Sequence, residues 1–134
     1  MKIIDGKGAV LGRLASYAAK EALKGEDIAI LNCDEIIISG NKQNIQQNFH
    51  EQRSRVGHGQ TGPKHARTSE KIAKRVIRGM VPQFRRGRGK IAFKRIKCYK
   101  GVPKEFEQSK KIVFGREKPV KYSLVREFTK GESK

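Results

Sequence analysis

Ile28-Ala29-Ile30-Leu31-Asn32-Cys33-Asp34-Glu35-Ile36-Ile37-Ile38-Ser39 is the stretch on which the reading of this chain turns. Two runs inside it, Asp27 to Asn32 and Glu35 to Ser39, are short, continuously apolar and rich in β-branched residues. Neither alternates apolar with polar, so neither reads as a strand with one wet face. Runs of this kind are what strands buried on both faces look like, as in a parallel sheet with helices above and below. Upstream, Lys2 to Ile4 is another short apolar run that ends at Asp5-Gly6, a first strand leaving into a loop. Between the two, Leu11, Leu14, Ala15, Ala18 and Ala22 recur at helical spacing up to Lys24, and Gly25 supplies the stop. Strand, helix, strand within about thirty residues is a right-handed βαβ unit, and the fold class predicted is α/β.

Downstream, Ser39-Gly40-Asn41 opens a polar helix through Ile45 and Phe49 to about Arg53. Residues 55–67 read as loop, punctuated by Gly57, Gly59, Gly62 and Pro63. Thr68 or Ser69 then caps a helix with Ile72, Ala73, Val76, Ile77 and Met80 on one side and Lys71, Lys74, Arg75 and Arg78 on the other. Gly79 and Pro82 end it. A second basic helix spans about Gly87 to Ile96, with Arg95 projecting among its apolar positions. Lys97 to Lys100 reads as a fourth short strand closed by Gly101-Val102-Pro103. The rest is a polar, extended tail to Tyr122, followed by a final helix from Ser123 to Lys130.

Charge divides the chain more sharply than hydropathy does. The net charge is +18 over 134 residues, yet residues 1–50 hold six Lys or Arg and six Asp or Glu. Gln52 to Lys104 holds seventeen Lys or Arg against one acid, Glu70, so sixteen of the eighteen units sit there. Charge so concentrated opposes folding by self-repulsion and points to a partner, a polyphosphate. We read one domain: a neutral βαβ scaffold over 1–50, a basic binding region over 51–104 and a tail over 105–134. Cys33 and Cys98 form no paired motif and read as buried thiols in a reducing compartment. With no secretory signal and no apolar run of membrane-spanning length, the expectation is a soluble intracellular protein.

A merely solvated face mixes charge signs; this region does not. The basic residues spread over loops and two helices with no helix-turn-helix or zinc-finger pattern, which favours an irregular folded RNA over DNA. The predicted contacts are Arg53, Arg55, His58, Lys64, His65 and Arg67 on the loop, and Lys71, Lys74, Arg75 and Arg78 on the first basic helix. Arg85, Arg86, Arg88 and Lys90 follow in a glycine-interleaved turn, with Lys94 and Arg95 beyond. Lys7 and Arg13 flank the first loop and join the set.

Two other patterns in the sequence bear on chemistry. Gly6-x-Gly8-x-x-x-Gly12 follows a strand and opens a helix, with Asp34 and Glu35 near where a dinucleotide site places its ribose-binding acid. The spacing is one residue too long for that fingerprint, and glycines packing a plain βα turn explain it as well. His50, His58 and His65 fall close together, but no cysteine or acid pair completes a zinc set at usual spacing, so we expect no metal. No Ser/His/Asp grouping or carboxylate pair suggests catalysis.

Several motifs resemble a known family. Leu11-Gly12-Arg13-Leu14-Ala15-Ser16 after Ile4-Asp5, Leu31-Asn32-Cys33-Asp34, and Ser39-Gly40-Asn41-Lys42 are three of them. The most specific is Val76-Ile77-Arg78-Gly79-Met80-Val81-Pro82 with Arg86-Gly87 just after. Together they resemble the universal large-subunit ribosomal protein thirteen family. Gly62-Pro63-Lys64-His65-Ala66-Arg67 is similar to its archaeal and eukaryotic, thirteen-a, branch. The resemblance runs in order over about residues 2–103. Val81 and Lys64 depart from it, and the tail matches weakly.

The resemblance implies a three-layer α/β/α fold around a mainly parallel four-stranded sheet. It implies binding to large-subunit ribosomal RNA beside other large-subunit proteins in the cytoplasm, a part in subunit assembly, and neither catalysis nor a cofactor. The alternatives are an off-ribosome RNA-binding regulator and a dinucleotide-dependent or RNA-modifying enzyme.

Overall fold

The computed structural model describes residues 1–55, 58–60, 65–114 and 118–129. Lys64 lies outside them, as does Lys130 at the end of the predicted final helix. In chain order the elements are β1 (Lys2–Asp5), α1 (Leu11–Leu23), β2 (Ile28–Leu31), β3 (Ile37–Ser39), α2 (Lys42–Ser54), α3 (Ser69–Met80), α4 (Gly87–Arg95), β4 (Ile96–Cys98), β5 (Ile112–Val113) and β6 (Tyr122–Leu124).

The central sheet has the order β4-β2-β1-β5 and every neighbouring pair is parallel. Its register aligns Ile4 with Ile30 and Ile28 with Ile96. Side chains alternate between faces along a strand. Ile4, Ile28, Ile30 and Ile96 therefore share one face, and all four are fully buried. Leu11, Leu14, Ala15, Ala18 and Ala22 of α1 and Ile72, Ala73 and Ile77 of α3 close the core over that face. The small side chains of α1 let it pack close to both α3 and α4. Burying each large aliphatic contributes about 1.5–3 kcal/mol, and this face concentrates most of them. The opposite face carries Ile3, Ala29 and Lys97 in register, and Lys97 is exposed. One acid is buried at the core edge: Glu21 of α1, 5% exposed, pairs with Lys2 of β1 and with Lys24 at 2.9 Å.

The α/β class and the parallel four-stranded sheet agree with expectation; the membership of the sheet does not. Residues 37–39 are not a central strand. Asn32 adopts a left-handed conformation (φ 55°) and a short turn at Cys33–Glu35 swings the chain out of the sheet. β3 then pairs antiparallel with β6 of the tail. Ile36 and Ile37 are fully buried, but against other partners: Ile37 N–H donates to the Ala9 carbonyl at 2.8 Å, and the Ile36 carbonyl accepts from Val125 N–H at 2.9 Å. An apolar run reports burial, not what does the burying. The fourth strand is β5, which docks beside β1.

The tail is likewise built in. In place of the predicted helix from Ser123, β6 runs into a short 3₁₀ turn, Val125–Phe128. Val125 and Phe128 are buried, and the Phe128 ring stacks on Phe49 at 5.3 Å and 11°. Met80, expected on the apolar side of α3, is 41% exposed at its last turn. The two cysteines, distant in sequence, meet in the fold. Cys98 sits opposite Ile30 in the β2–β4 register, and the Cys33 Sγ lies 3.8 Å from the Ile30 carbonyl. Both thiols are free, and a hydrogen bond with Cys98, together with burial, pushes the Cys33 thiol far above its usual range.

Candidate nucleic-acid interface

The spine of the basic surface is α3. Its buried Ile72, Ala73 and Ile77 hold it on the core, which fixes the direction in which Lys71, Lys74, Arg75 and Arg78 project. These cations are not all waving free. Lys74 Nζ lies 4.8 Å from the centre of the Phe93 ring, and the Arg78 guanidinium lies 4.7 Å from that of Phe84. Arg85 reaches the same Phe84 ring at 5.3 Å. Phe84 and Phe93 meet edge to face at 6.3 Å and 63°. Two rings thus hold three cations of α3 and the following turn in one place. Each cation–ring contact is worth about 0.5–1 kcal/mol at exposed sites, enough to restrict a long side chain.

The turn between α3 and α4 is closed by backbone packing. A Cβ on Gly89 would overlap the Pro82 carbonyl oxygen and lie 2.7 Å from its carbon, so only glycine fits. Arg86 N–H donates to the Gln83 carbonyl at 2.9 Å, with Gln83 in a left-handed conformation (φ 42°). The first turn of α4 carries no acid and no side-chain cap. Its free N–H groups add the positive end of the helix dipole to Arg86, Arg88 and Lys90, all exposed.

The loop returns to the same helix. His65 is half-buried, and its pKa is lowered by burial and then by the charges of Arg75, Arg55 and Arg78. Arg53 stacks over Phe49 at 5.1 Å and donates to the Ala66 carbonyl at 3.4 Å. Its buried Nε has no hydrogen-bond partner among the described residues. Burial and then Arg67 lower its pKa, and a guanidinium stays charged even so. Arg55, His58 and Arg67 are exposed.

Beside α3, Glu70, Lys71, Lys74, Lys97, Cys98 and Tyr99 line a hollow of about 270 Å³. Lys97 was not among the predicted contacts, although the strand alternation puts it on the exposed face. Phe84 and Phe93 were also missed as parts of the site; aromatics interleaved with cations over residues 84–95 were the available signal.

Four predicted residues stand apart from these contacts. Arg95 turns inward: it is half-buried and its Nη1 donates at 3.4 Å to the Ala22 carbonyl at the end of α1, which also accepts the Gly25 N–H at 3.1 Å. Arg13 lines a separate hollow of about 350 Å³ with Val10, Ser39, Lys118 and Pro119. Lys7 is exposed in the first loop. Lys94 is exposed on α4.

The first glycine of the first loop is explained by packing. A Cβ on Gly6 would lie 2.7 Å from the Leu31 carbonyl and 2.9 Å from Ile36 Cγ1, so that glycine serves packing. Asp34 faces Lys100 at 4.0 Å. Among the described residues no three His, Cys, Asp or Glu side chains gather as a metal site, and no helix is long and apolar enough to cross a membrane.

The sequence profile of the family described as Ribosomal protein L13 matches residues 1–105. The chain belongs to the ribosomal protein L13 family. Its relatives include the large ribosomal subunit protein uL13 of Methanosphaera stadtmanae, 44% identical over 108 residues, which cover 78% of this chain and 75% of that protein. The uL13 of Methanocaldococcus jannaschii is 42% identical over 115 residues, 84% and 83% of the two chains. That of Methanosarcina barkeri is 42% identical over 113 residues, 84% and 79%. L13 proteins are structural parts of the ribosome and not enzymes, which removes both enzyme readings. The matched span contains α1 to α4 and β1 to β4; β5, β6 and the turn carrying Val125 lie beyond it.

Proposed function

We propose that this L13 protein is a structural constituent of the large ribosomal subunit and binds large-subunit ribosomal RNA with the face built on α3, the Pro82–Gly89 turn and α4. The carrying observation is the seating of Lys74, Arg78 and Arg85 over Phe93 and Phe84, in a region where Glu70 is the sole acid. Cations held close together without acids repel one another, and a phosphate backbone removes that cost. Arg53, Arg55, His65 and Arg67 extend the face along the loop. The chain acts as one domain, with a core cluster that draws on residues from Ile4 to Val125. Its setting is the cytoplasm, in the large subunit, beside other large-subunit proteins.

Sedimentation of cell extract through a sucrose gradient tests this. The protein should travel with the large subunit, and Lys74→Glu/Arg78→Glu should leave a folded protein largely at the top of the gradient. A wild-type protein at the top, bound to other RNA, would favour an off-ribosome regulator; a double variant that still travels with the subunit would remove α3 from the interface.

A further inference from the structure

We propose that the hollow formed by Gln83, Phe84, Arg85 and Arg86 receives one unstacked nucleobase of the bound RNA. This rests on the RNA-binding reading above and adds to it a contact of a different kind. The hollow has a volume of about 360 Å³ and its wall is almost entirely carbon. A phosphate is a poor occupant of such a wall, because an anion there loses water without gaining donors. A planar base is a good one. It is apolar on its faces and polar on its edges.

Each lining residue has a part that fits. Phe84 is half-buried and fixed edge to face against Phe93, so its position is set before any ligand arrives. Aromatic rings and guanidinium planes are the two surfaces on which proteins stack splayed-out bases, and this hollow offers both. Arg78 and Arg85 lie over the ring, and Arg86 is exposed at the rim, where the phosphates on either side of an extruded base would pass. Gln83 is exposed, and its amide both donates and accepts, as a base edge requires.

The backbone supports the same conclusion. Gln83 holds a left-handed conformation that a residue with a side chain rarely adopts. It is kept there by the Arg86–Gln83 hydrogen bond and by the contact of Gly89 with Pro82. Strained backbone of this sort persists where its surroundings over-determine it, and it clusters at ligand contacts. Here the strain sets the rim of the hollow and not the core.

The test uses the full-length protein and a fragment of large-subunit ribosomal RNA that it binds. Wild type, Phe84→Ala, Phe84→Tyr and Gln83→Ala are compared in affinity, in salt dependence and in protection of individual bases from a reagent that modifies Watson–Crick edges. Phe84→Ala should bind about tenfold or more weakly, the scale of one stacked base, with the slope of log affinity against log salt unchanged. One unpaired nucleotide should be protected by wild type, exposed again with Phe84→Ala and protected with Phe84→Tyr. Gln83→Ala, at an exposed position, should alter reactivity at that nucleotide only. Phe84→Ala affinity equal to wild type would overturn the proposal. So would a slope that falls in step with affinity, because Phe84 would then act only by seating Arg78 and Arg85. If Phe84→Ala does not fold, the absence of any singly protected base with wild type overturns it. Steep, salt-sensitive binding with no such base defeats this inference alone, whereas no RNA binding at all defeats the function on which it rests.

Discussion

Gly89 and Gly79 lie on either side of Pro82, and the structure gives them opposite roles. Residue 89 meets the Pro82 carbonyl and has no room for a Cβ, whereas nothing lies within 4 Å of a Cβ placed on residue 79. Gly89→Ala should therefore lower the thermal midpoint by several degrees and weaken RNA binding, because the turn must open. Gly79→Ala, near the end of α3, should be neutral or stabilising by up to about 1 kcal/mol. Equal effects in thermal unfolding would contradict this. Sequence spacing favours Gly79, which lies three residues before the proline; which glycine meets backbone across the turn is a tertiary fact. His65 gives a second prediction at this scale. Burial and three arginines disfavour its proton in the folded state. Above its ordinary value of 6.5 the effect is absent; as pH falls through 6.5 the unfolded chain takes up a proton that the folded one resists, so the RNA-free protein loses stability. A phosphate placed among the same arginines reverses the shift. NMR titration should show a higher His65 pKa in the RNA complex than in the free protein, and an unchanged or lower value would place the RNA elsewhere.

Among the elements, α1 and α3 were legible because long amphipathic patterns repeat the same signal over several turns. β5, two residues long, and β6, three residues long, were not. So few residues carry no periodicity, and each strand exists only through a distant partner: β5 beside β1, β6 beside β3. The same non-local pairing explains the misassigned 37–39 run, whose apolar character was real but whose cover is the first loop and the tail. A consequence is that the tail contributes to stability. Phe128→Ala removes a buried ring stacked on Phe49 and should cost about 3 kcal/mol in denaturant unfolding. A loss below about 0.5 kcal/mol, the level of an ordinary surface substitution, would show that the tail is not part of the core. The binding face was legible in charge and only partly in geometry. Arg95 and Lys97 are two residues apart, yet Arg95 turns in to the Ala22 carbonyl at the end of α1 and Lys97 lies at the exposed edge strand, lining the hollow beside α3. Charge counting cannot separate them, because it knows the number of cations and not their direction.

For the whole molecule, the neutral half supplies most of the sheet and the basic half supplies the charge. Free protein carrying +18 is held together against its own repulsion, which salt screens and RNA removes. The central claim is that α3 and the turn after it engage RNA phosphates, and the salt dependence of affinity tests it most directly. With about six to ten phosphates engaged, affinity should fall steeply with salt, and each lost contact should reduce the slope by about 0.7–0.9. Binding of large-subunit ribosomal RNA should therefore be measured across salt for wild type and for Lys74→Gln/Arg78→Gln/Arg85→Gln. We expect a steep wild-type slope and a triple-variant slope shallower by about two to three. A wild-type slope near zero, or a triple variant with the wild-type slope, would contradict the account.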